Sequence, residues 1–569
     1  MSARADVVVV GAGAGGAAAA WRLAEQGLRV LVLEAGPRFQ PGRDYRLHRT
    51  DWERQGFPHK AGSSGRVVFA ELQELDPKAD ALRSWNRVIG RQNKTSRRAV
   101  SGPGYHHVRG VGGSTLHFTG EAHRLHPAAM RMRSVFGVAA DWPVGYADLE
   151  PYYVIAEQMV GVAGPADTGV RWRSAPYPMP AHTLCKASAR LVKAGAKIGM
   201  KWVANSRAAL SRPYDGRPAC NYCANCSRGC PIGDKGSADV TFVRRAELTG
   251  RCEIRADAVV VGLESRADGT IEAVRYVANG RAERVESPIL IIAAGAIETP
   301  RLLLANRNRK FPNGTANGSG QVGRNMTETL SWISTGLATE PLRSFQGLPA
   351  DAVCWDYNAP DAIPGIVGGC RFTSTVQEIG LVGPISYATR VVGGFGAALK
   401  QGIRDTFGRA LSVGSLGEFL PNEDTRVTLD EAQRDVYGVP LPRIHSRLTA
   451  QDVARLRFMA GQCRRVLREA GVGKLVEEFG SYDYFSATHV GGTCRMGRNA
   501  GEAVVDAYGK SHECPNLFIA DGSVLPTSGG GEGPSLTIEA LAIRAADYIA
   551  RKSVLPPTSS TQRGRTTGT

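Results

Sequence analysis

The segment between Asp6 and Glu34 constrains the fold more than any other. Four valines, Val7 to Val10, run into Gly11, Gly13 and Gly16 at G-x-G-x-x-G spacing, followed by an alanine-rich stretch at 17–26 and a second apolar run at 29–34. That order reads as strand, glycine turn, helix and strand, a βαβ unit. The glycines permit a tight turn and let a pyrophosphate approach the helix N-terminus, where unpaired N–H groups and the dipole favour an anion. Glu34, closing the second strand, can accept hydrogen bonds from ribose hydroxyls, and its charge would repel a 2′-phosphate. NADP is thereby disfavoured, while NAD and FAD both remain open on this unit alone.

A chain of 569 residues exceeds what one hydrophobic core supports, so two or more domains are expected. Strands are expected over 252–263 and 270–277, and the apolar run 289–294 reads as a strand buried on both faces, where the nucleotide-binding sheet resumes. From about residue 330 to 479 the pattern changes to strands and turns with a helix over 450–470, as in a separate α+β domain. Glycine makes up 68 residues, about 12% where roughly 7% is usual, which predicts several glycine-rich loops against a large ligand.

The net charge of +17 raises the question of an anionic partner. Arg83, Arg87, Arg91, Lys94, Arg97 and Arg98 form the densest cluster, the first three spaced as on one helix face. We read it as a solvated basic face, with docking of an acidic partner or substrate as the functional alternative. No nucleic-acid-binding motif accompanies it, so no nucleic acid is expected. No apolar stretch reaches the ~20 residues of a membrane span. The start of the chain lacks the design of a secretory signal, so the expected location is the cytoplasm, or the periplasm by co-export with a signal-bearing subunit.

Cys220, Cys223, Cys226 and Cys230, followed by Pro231, have the C-x2-C-x2-C-x3-C-P spacing of bacterial ferredoxins. Zinc sites usually separate two cysteine pairs by a longer loop. An iron–sulfur cluster, structural thiols and zinc stay open, in that order of fit.

The runs "GVGGSTLHFTG" at 110–120, "AAGAIETPRLLL" at 293–304, "THVGGTCRMG" at 488–497 and "NLFIADGSVLPTS" at 516–528 resemble, in order, motifs of the glucose-methanol-choline (GMC) flavoprotein oxidoreductases. Further segments, "YPMP" at 177–180 among them, look like catalytic subunits of bacterial FAD-dependent sugar and sugar-acid dehydrogenases. The resemblance implies an α/β fold with a Rossmann-like FAD-binding domain and a second α+β substrate domain with an antiparallel sheet. Its expected extents are 1–329 for the first part of the FAD-binding domain, with a cysteine-rich insertion at 218–236, then 330–485 for the substrate domain and 486–552 for the FAD-binding remainder. A disordered tail is expected at 553–569.

The same resemblance implies FAD held by Gly11, Gly13, Gly16, Glu34, Gly112, Gly113, Ser114, Asp521 and Gly522. It implies His489 as the base that removes the alcohol proton, a task suited to imidazole. His117 corresponds to a histidine that some members join covalently to the flavin, with His106 and His107 nearby as alternative registers. Related sugar dehydrogenases carry a 3Fe-4S cluster whose ligands match Cys220, Cys226 and Cys230, and Cys223 leaves room for 4Fe-4S. The implied activity is oxidation of a CH–OH group in a sugar, sugar derivative or polyol, with electrons passed through the cluster to a cytochrome or quinone partner and a small accessory subunit in attendance. An oxygen-reducing oxidase and a non-redox lyase or electron-transfer subunit are the alternatives. Two departures stand out. The family's second catalytic His or Asn is replaced by Gly533, with Glu532 as the candidate substitute. An Asp-His pair after the "GRN" run is replaced by Glu328 and Thr329.

Overall fold

The computed structural model describes residues 5–45, 67–70, 73–92, 95–99, 107–166, 169–286, 288–485 and 488–554. The candidate histidine at 106 and the expected tail from 555 onward lie outside the described residues, as does Lys94 of the basic cluster.

The opening βαβ unit forms as expected: β1 (Val7–Val10), α1 (Ala14–Glu25) and β2 (Val30–Leu33). Both strands are buried along their whole length, which is why they read as continuous apolar runs rather than alternating ones. They lie in a five-stranded parallel sheet, ordered Cys252–Arg255, β2, β1, Ile289–Ile292 and Leu517–Ile519. The sheet therefore resumes at 289, and a strand from the far C-terminus completes it. The expected strand over 252–263 is in fact two. Asp257 takes a left-handed conformation (φ 51°), and the chain leaves the parallel sheet after Arg255 to enter a three-stranded antiparallel sheet at Ala258–Ser265.

The second layer is an eight-stranded sheet around β3 (Leu330–Leu337), β4 (Cys370–Ser374) and β5 (Ala410–Gly417), all antiparallel to their neighbours. Its edges come from upstream, with Trp202–Ala204 at one side and the hairpin Trp85–Asn86 and Gly90–Arg91 at the other. The helix α2 (Ala450–Glu469) starts at a capping box in which Thr449 and Asp452 satisfy each other's backbone N–H groups. It covers one sheet face, where Trp332, Cys370, Phe372, Leu411 and Val413 meet Leu456, Met459 and Cys463. Residues paired across strands share a face, so Arg371, Leu416 and Ser331 point to the side away from α2.

The basic cluster is not a helix face. After a short 3₁₀ turn at Pro77–Leu82 the chain forms the hairpin above. Arg91 ion-pairs with Asp80, and Arg97 is fully buried, its guanidinium 2.6 Å from Glu328. Spacing alone misled here, because period-four arginines predict a helix only where the chain has no competing turn. Asn86 accepts from the N–H groups of Val88 and Ile89, and that turn forms the hairpin instead. Among the described residues no helix is long and apolar enough to cross a membrane. A final helix, α3 (Ser535–Val554), packs against α1.

Candidate active site

Two glycine turns, far apart in sequence, meet in space. Gly13 caps α1 without any side-chain hydrogen bond, and the first turn of α1 carries no acid. Gly113 opens the turn Gly113–Leu116 at φ +55°, and a Cβ added to it would lie 2.7 Å from Cα of Gly13. Nearby, a Cβ on Gly16 would fall 2.0 Å from the carbonyl oxygen of Gly11, so the fingerprint turn closes only with hydrogen at that position. A Cβ on Gly13 would meet nothing nearer than Gly113 at 3.8 Å, so its missing side chain opens into the cleft.

That cleft, about 1390 Å³ of space open to solvent, runs from Glu34, Ala35 and Arg109 past Gly13, Gly113 and Ser114 to Gly295, His489, Asp521 and Gly522. Glu34 is buried and acts as a hub for the turns. Its carboxylate accepts from the N–H groups of Ala12 (2.8 Å), Gly36 (3.0 Å) and Gly110 (3.0 Å). Burial raises its pKa, and those three bonds oppose the rise. Asp521 does the same at the other end. It accepts from Gly295 N at 2.9 Å, Thr299 Oγ1 at 2.5 Å and Ser523 N at 2.8 Å, and so ties the N-terminus of the helix Gly295–Ala305 to its own turn. Two helix N-termini and a side-chain-free floor fit a dinucleotide pyrophosphate.

Of the histidines around the second glycine turn, His107 lines the cleft. His117 stands at the end of the turn that carries Gly113 and Ser114, and it is buried. His489 sits on the cleft wall. Burial pulls its pKa down to about 4, the positive charge of Arg371 adds to that, and Glu121 opposes it. The imidazole is therefore unprotonated at neutral pH and able to accept a proton. The departure at 328–329 has a structural use. Thr329 Oγ1 accepts from the N–H groups of both Thr488 and His489 at 3.1 Å, while Glu328 accepts from Arg97 and Ser446.

Glu532 is buried. Its Oε1 accepts from Arg171 at 2.6 Å and from His126 N at 3.0 Å, and it is not in the cleft lining. The carboxylate at 532 thus anchors a loop through an arginine that sequence reading did not single out.

Cys220, Cys223, Cys226 and Cys230 line one small cavity of about 240 Å³ with Asp234 and Leu348. Burial pushes the thiols of Cys220, Cys226 and Cys230 up, Cys226 to about 11 and Cys230 to about 12, and Cys230 donates to Asp234 at 2.5 Å. Among the described residues no group of three or more His, Cys, Asp or Glu side chains stands in a metal-holding arrangement. The four cysteines share that cavity without standing in such an arrangement. Next to it the buried ammonium of Lys235 donates to the carbonyls of Cys226 (2.9 Å), Leu116 (2.9 Å) and Phe118 (3.0 Å), fastening the cysteine loop to the second glycine turn. A lone lysine beside a cysteine motif carries no sequence signal for this role, nor do Glu121, His123 and Arg371.

Sequence profiles described as GMC oxidoreductase match residues 129–330 and 421–542, and one described as an NAD(P)-binding Rossmann-like domain matches 9–67. The fructose dehydrogenase large subunit of Gluconobacter japonicus is 29% identical, with 96% of this chain and 97% of that protein aligned. The 6'''-hydroxyparomomycin C oxidase of Streptomyces lividus is 30% identical over 96% of this chain and 91% of its own. Pyridoxine 4-oxidase from Mesorbium loti shares the fold, with a TM-score of 0.63, 18% identity, and 96% and 99% of the two chains covered. Profiles that span both parts of one fold, together with a full-length relative at this identity, establish that the chain belongs to the GMC oxidoreductases and is an FAD-dependent oxidoreductase acting on CH–OH donors.

Proposed function

We propose that this enzyme is a dehydrogenase that oxidises a CH–OH group of a sugar, sugar derivative or polyol and passes the electrons through an iron–sulfur cluster to an external acceptor. The observation that carries the reading is His489 on the wall of a cleft whose floor is the bare meeting of Gly13 and Gly113. Full-length similarity to a fructose dehydrogenase subunit and to an aminoglycoside oxidase supports a polyhydroxylated substrate.

FAD, when bound, supplies the hydride acceptor. Gly11, Gly13, Gly16 and Glu34 would hold its adenosine and pyrophosphate end, and Gly112, Gly113, Ser114, Asp521 and Gly522 the remainder, with His117 beside it either as a point of covalent attachment or as a noncovalent packing partner. His489 takes the hydroxyl proton on its free imidazole nitrogen as the carbon gives up hydride, so the alcohol never has to ionise in water. Thr329 fixes the backbone of that histidine. Cys220, Cys223, Cys226 and Cys230 would hold the cluster, which would supply one-electron transfer to a cytochrome or quinone.

Anaerobic purification followed by a panel of fructose, gluconate, a vicinal diol and an amino sugar tests the reading. Flavin bleaching by a panel member, with iron and acid-labile sulfide present and dye reduction unaffected by oxygen, supports it. A second reading, an oxygen-reducing oxidase, is supported by the similarity to the 6'''-hydroxyparomomycin C oxidase. Hydrogen peroxide formation without iron would select it.

A further inference from the structure

The dinucleotide cleft has an end that the glycine turns do not account for. Pyrophosphate at the N-terminus of α1 and a ribose at Glu34 leave the adenine of FAD beyond Glu34. There Asp257 N donates to the carbonyl of Gly36 at 3.0 Å and Ala258 N to that of Glu34 at 2.8 Å, so the strand Ala258–Ser265 starts directly against Glu34. Its first three residues line the cleft, as do Arg301 and Leu302 of the helix Gly295–Ala305. The remaining wall comes from another sheet. Asp435 and Val439 also line the cleft, and they belong to the tip of an antiparallel hairpin with strands Arg426–Arg434 and Pro440–His445.

An arginine in a nucleotide cleft ordinarily binds a phosphate. The donors of Arg301 are turned to the protein instead. Nε donates to the carbonyl of Pro440 at 2.7 Å, Nη2 to Asp435 Oδ2 at 2.6 Å and to the carbonyl of Val439 at 3.2 Å, and Nη1 to Glu298 Oε2 at 2.8 Å. Two carboxylates thus offset its charge, and it is 5% exposed. Asp435 fixes the tip with its other oxygen. Oδ1 accepts from the N–H groups of Tyr437 at 2.9 Å and Val439 at 3.0 Å, and Asp435 N donates back to the carbonyl of Val439 at 2.9 Å. At the base of the hairpin Val427 and Ile444 pack with Ile297 of the same helix. Between the two cleft-lining residues of the tip, Val436 is 91% exposed, so the tip stands as the boundary between cleft and water. Val259, Val260, Leu302 and Val439 give this end of the cleft apolar walls, which suit a flat purine.

We propose that the hairpin tip at 435–439 is the seat for the adenine of FAD, and that Arg301 and Asp435 are positioning residues that hold it against the cleft. The proposal rests on the reading of the cleft as the FAD site. FAD is then enclosed at its adenine end by a hairpin that is no part of the nucleotide-binding sheet. Undoing the Arg301–Asp435 pair opens that end and leaves the floor at Gly13 and Gly113 intact.

Nucleotide pyrophosphatase, which uses water to split the P–O–P bridge of FAD into FMN and AMP, reads how firmly the adenine half is held whether or not the flavin is covalently attached. AMP release is measured from holoenzyme of the wild type, Arg301→Met, Asp435→Ala and Arg443→Met. The last removes the partner of Asp430, 2.6 Å away in the same hairpin but outside the cleft lining. Release should be about 10-fold faster or more in the first two variants, the worth of one charge-assisted bond, and unchanged in Arg443→Met. Wild-type rates in both cleft variants would overturn the proposal. An equal acceleration in Arg443→Met would also overturn it, because that is what general loosening of the hairpin predicts. If either cleft variant yields no flavoprotein, Asp435→Asn decides by the same comparison. Denatured wild type treated in the same way should yield AMP, and its absence would show that the cofactor is not FAD, overturning the reading of the cleft and this proposal with it.

Discussion

Gly113 stands against Gly13 so closely that a Cβ on the first would come 2.7 Å from the Cα of the second, though a hundred residues separate them. The contact locks two turns that resemble separate motifs into one floor, and it has no room for any side chain at 113, which is also left-handed.

Gly113→Val should therefore abolish flavin loading even with the rest of the fingerprint intact. The flavin-to-protein absorbance ratio of the purified variant is the measurement. Normal loading would mean that the two turns can part without losing the cofactor.

His489→Ala should cut turnover by about 10²-fold or more, the usual worth of positioned acid–base catalysis, with FAD still bound. The pH dependence follows from the sign of the shift. The working form is the free base, so wild-type kcat/KM should stay level down to mildly acidic pH and fall only as pH drops through about 4. A limb near the ordinary imidazole value would show that burial does not hold the ring neutral.

Acid precipitation reports on His117. Flavin that stays with the wild-type pellet and with His107→Ala, and passes to the supernatant in His117→Ala, would place a covalent bond at His117. Release from the wild type would make the attachment noncovalent, and dependence on His107 would assign the register to the histidine that lines the cleft.

Cys226→Ser should lower bound iron and acid-labile sulfide together and slow dye reduction more than flavin bleaching. Zinc without sulfide in the wild-type protein would refute the cluster.

Lys235→Met removes the shared donor of two buried carbonyls and a half-buried one. Each group left unsatisfied costs about 1–3 kcal/mol, so Tm should fall by several degrees and flavin content with it. An unchanged Tm would show that water replaces the ammonium.

What sequence alone determined was whatever depends on local periodicity and backbone geometry. The buried strands β1 and β2, the glycine turn between them and the helix at 450–469 follow from apolar runs, from positions that tolerate only hydrogen, and from a Thr-x-x-Asp cap. Local patterns failed where a feature depends on what lies opposite. The 252–263 run gives no sign that Asp257 turns it from one sheet into another, and the arginines at 83–91 suggest a helix where the turn at Asn86 makes a hairpin. Arg97 found its partner Glu328 more than two hundred residues away. The same holds for the candidate site. Gly13, Glu34, His489 and Asp521 stand in recognisable runs, whereas Glu121 and His123, two residues apart, meet the distant Arg371 and the loop at 529–533 only through the tertiary fold. Burial, which sets the charge state of His489 and the thiols, is a property of that packing and of no single segment.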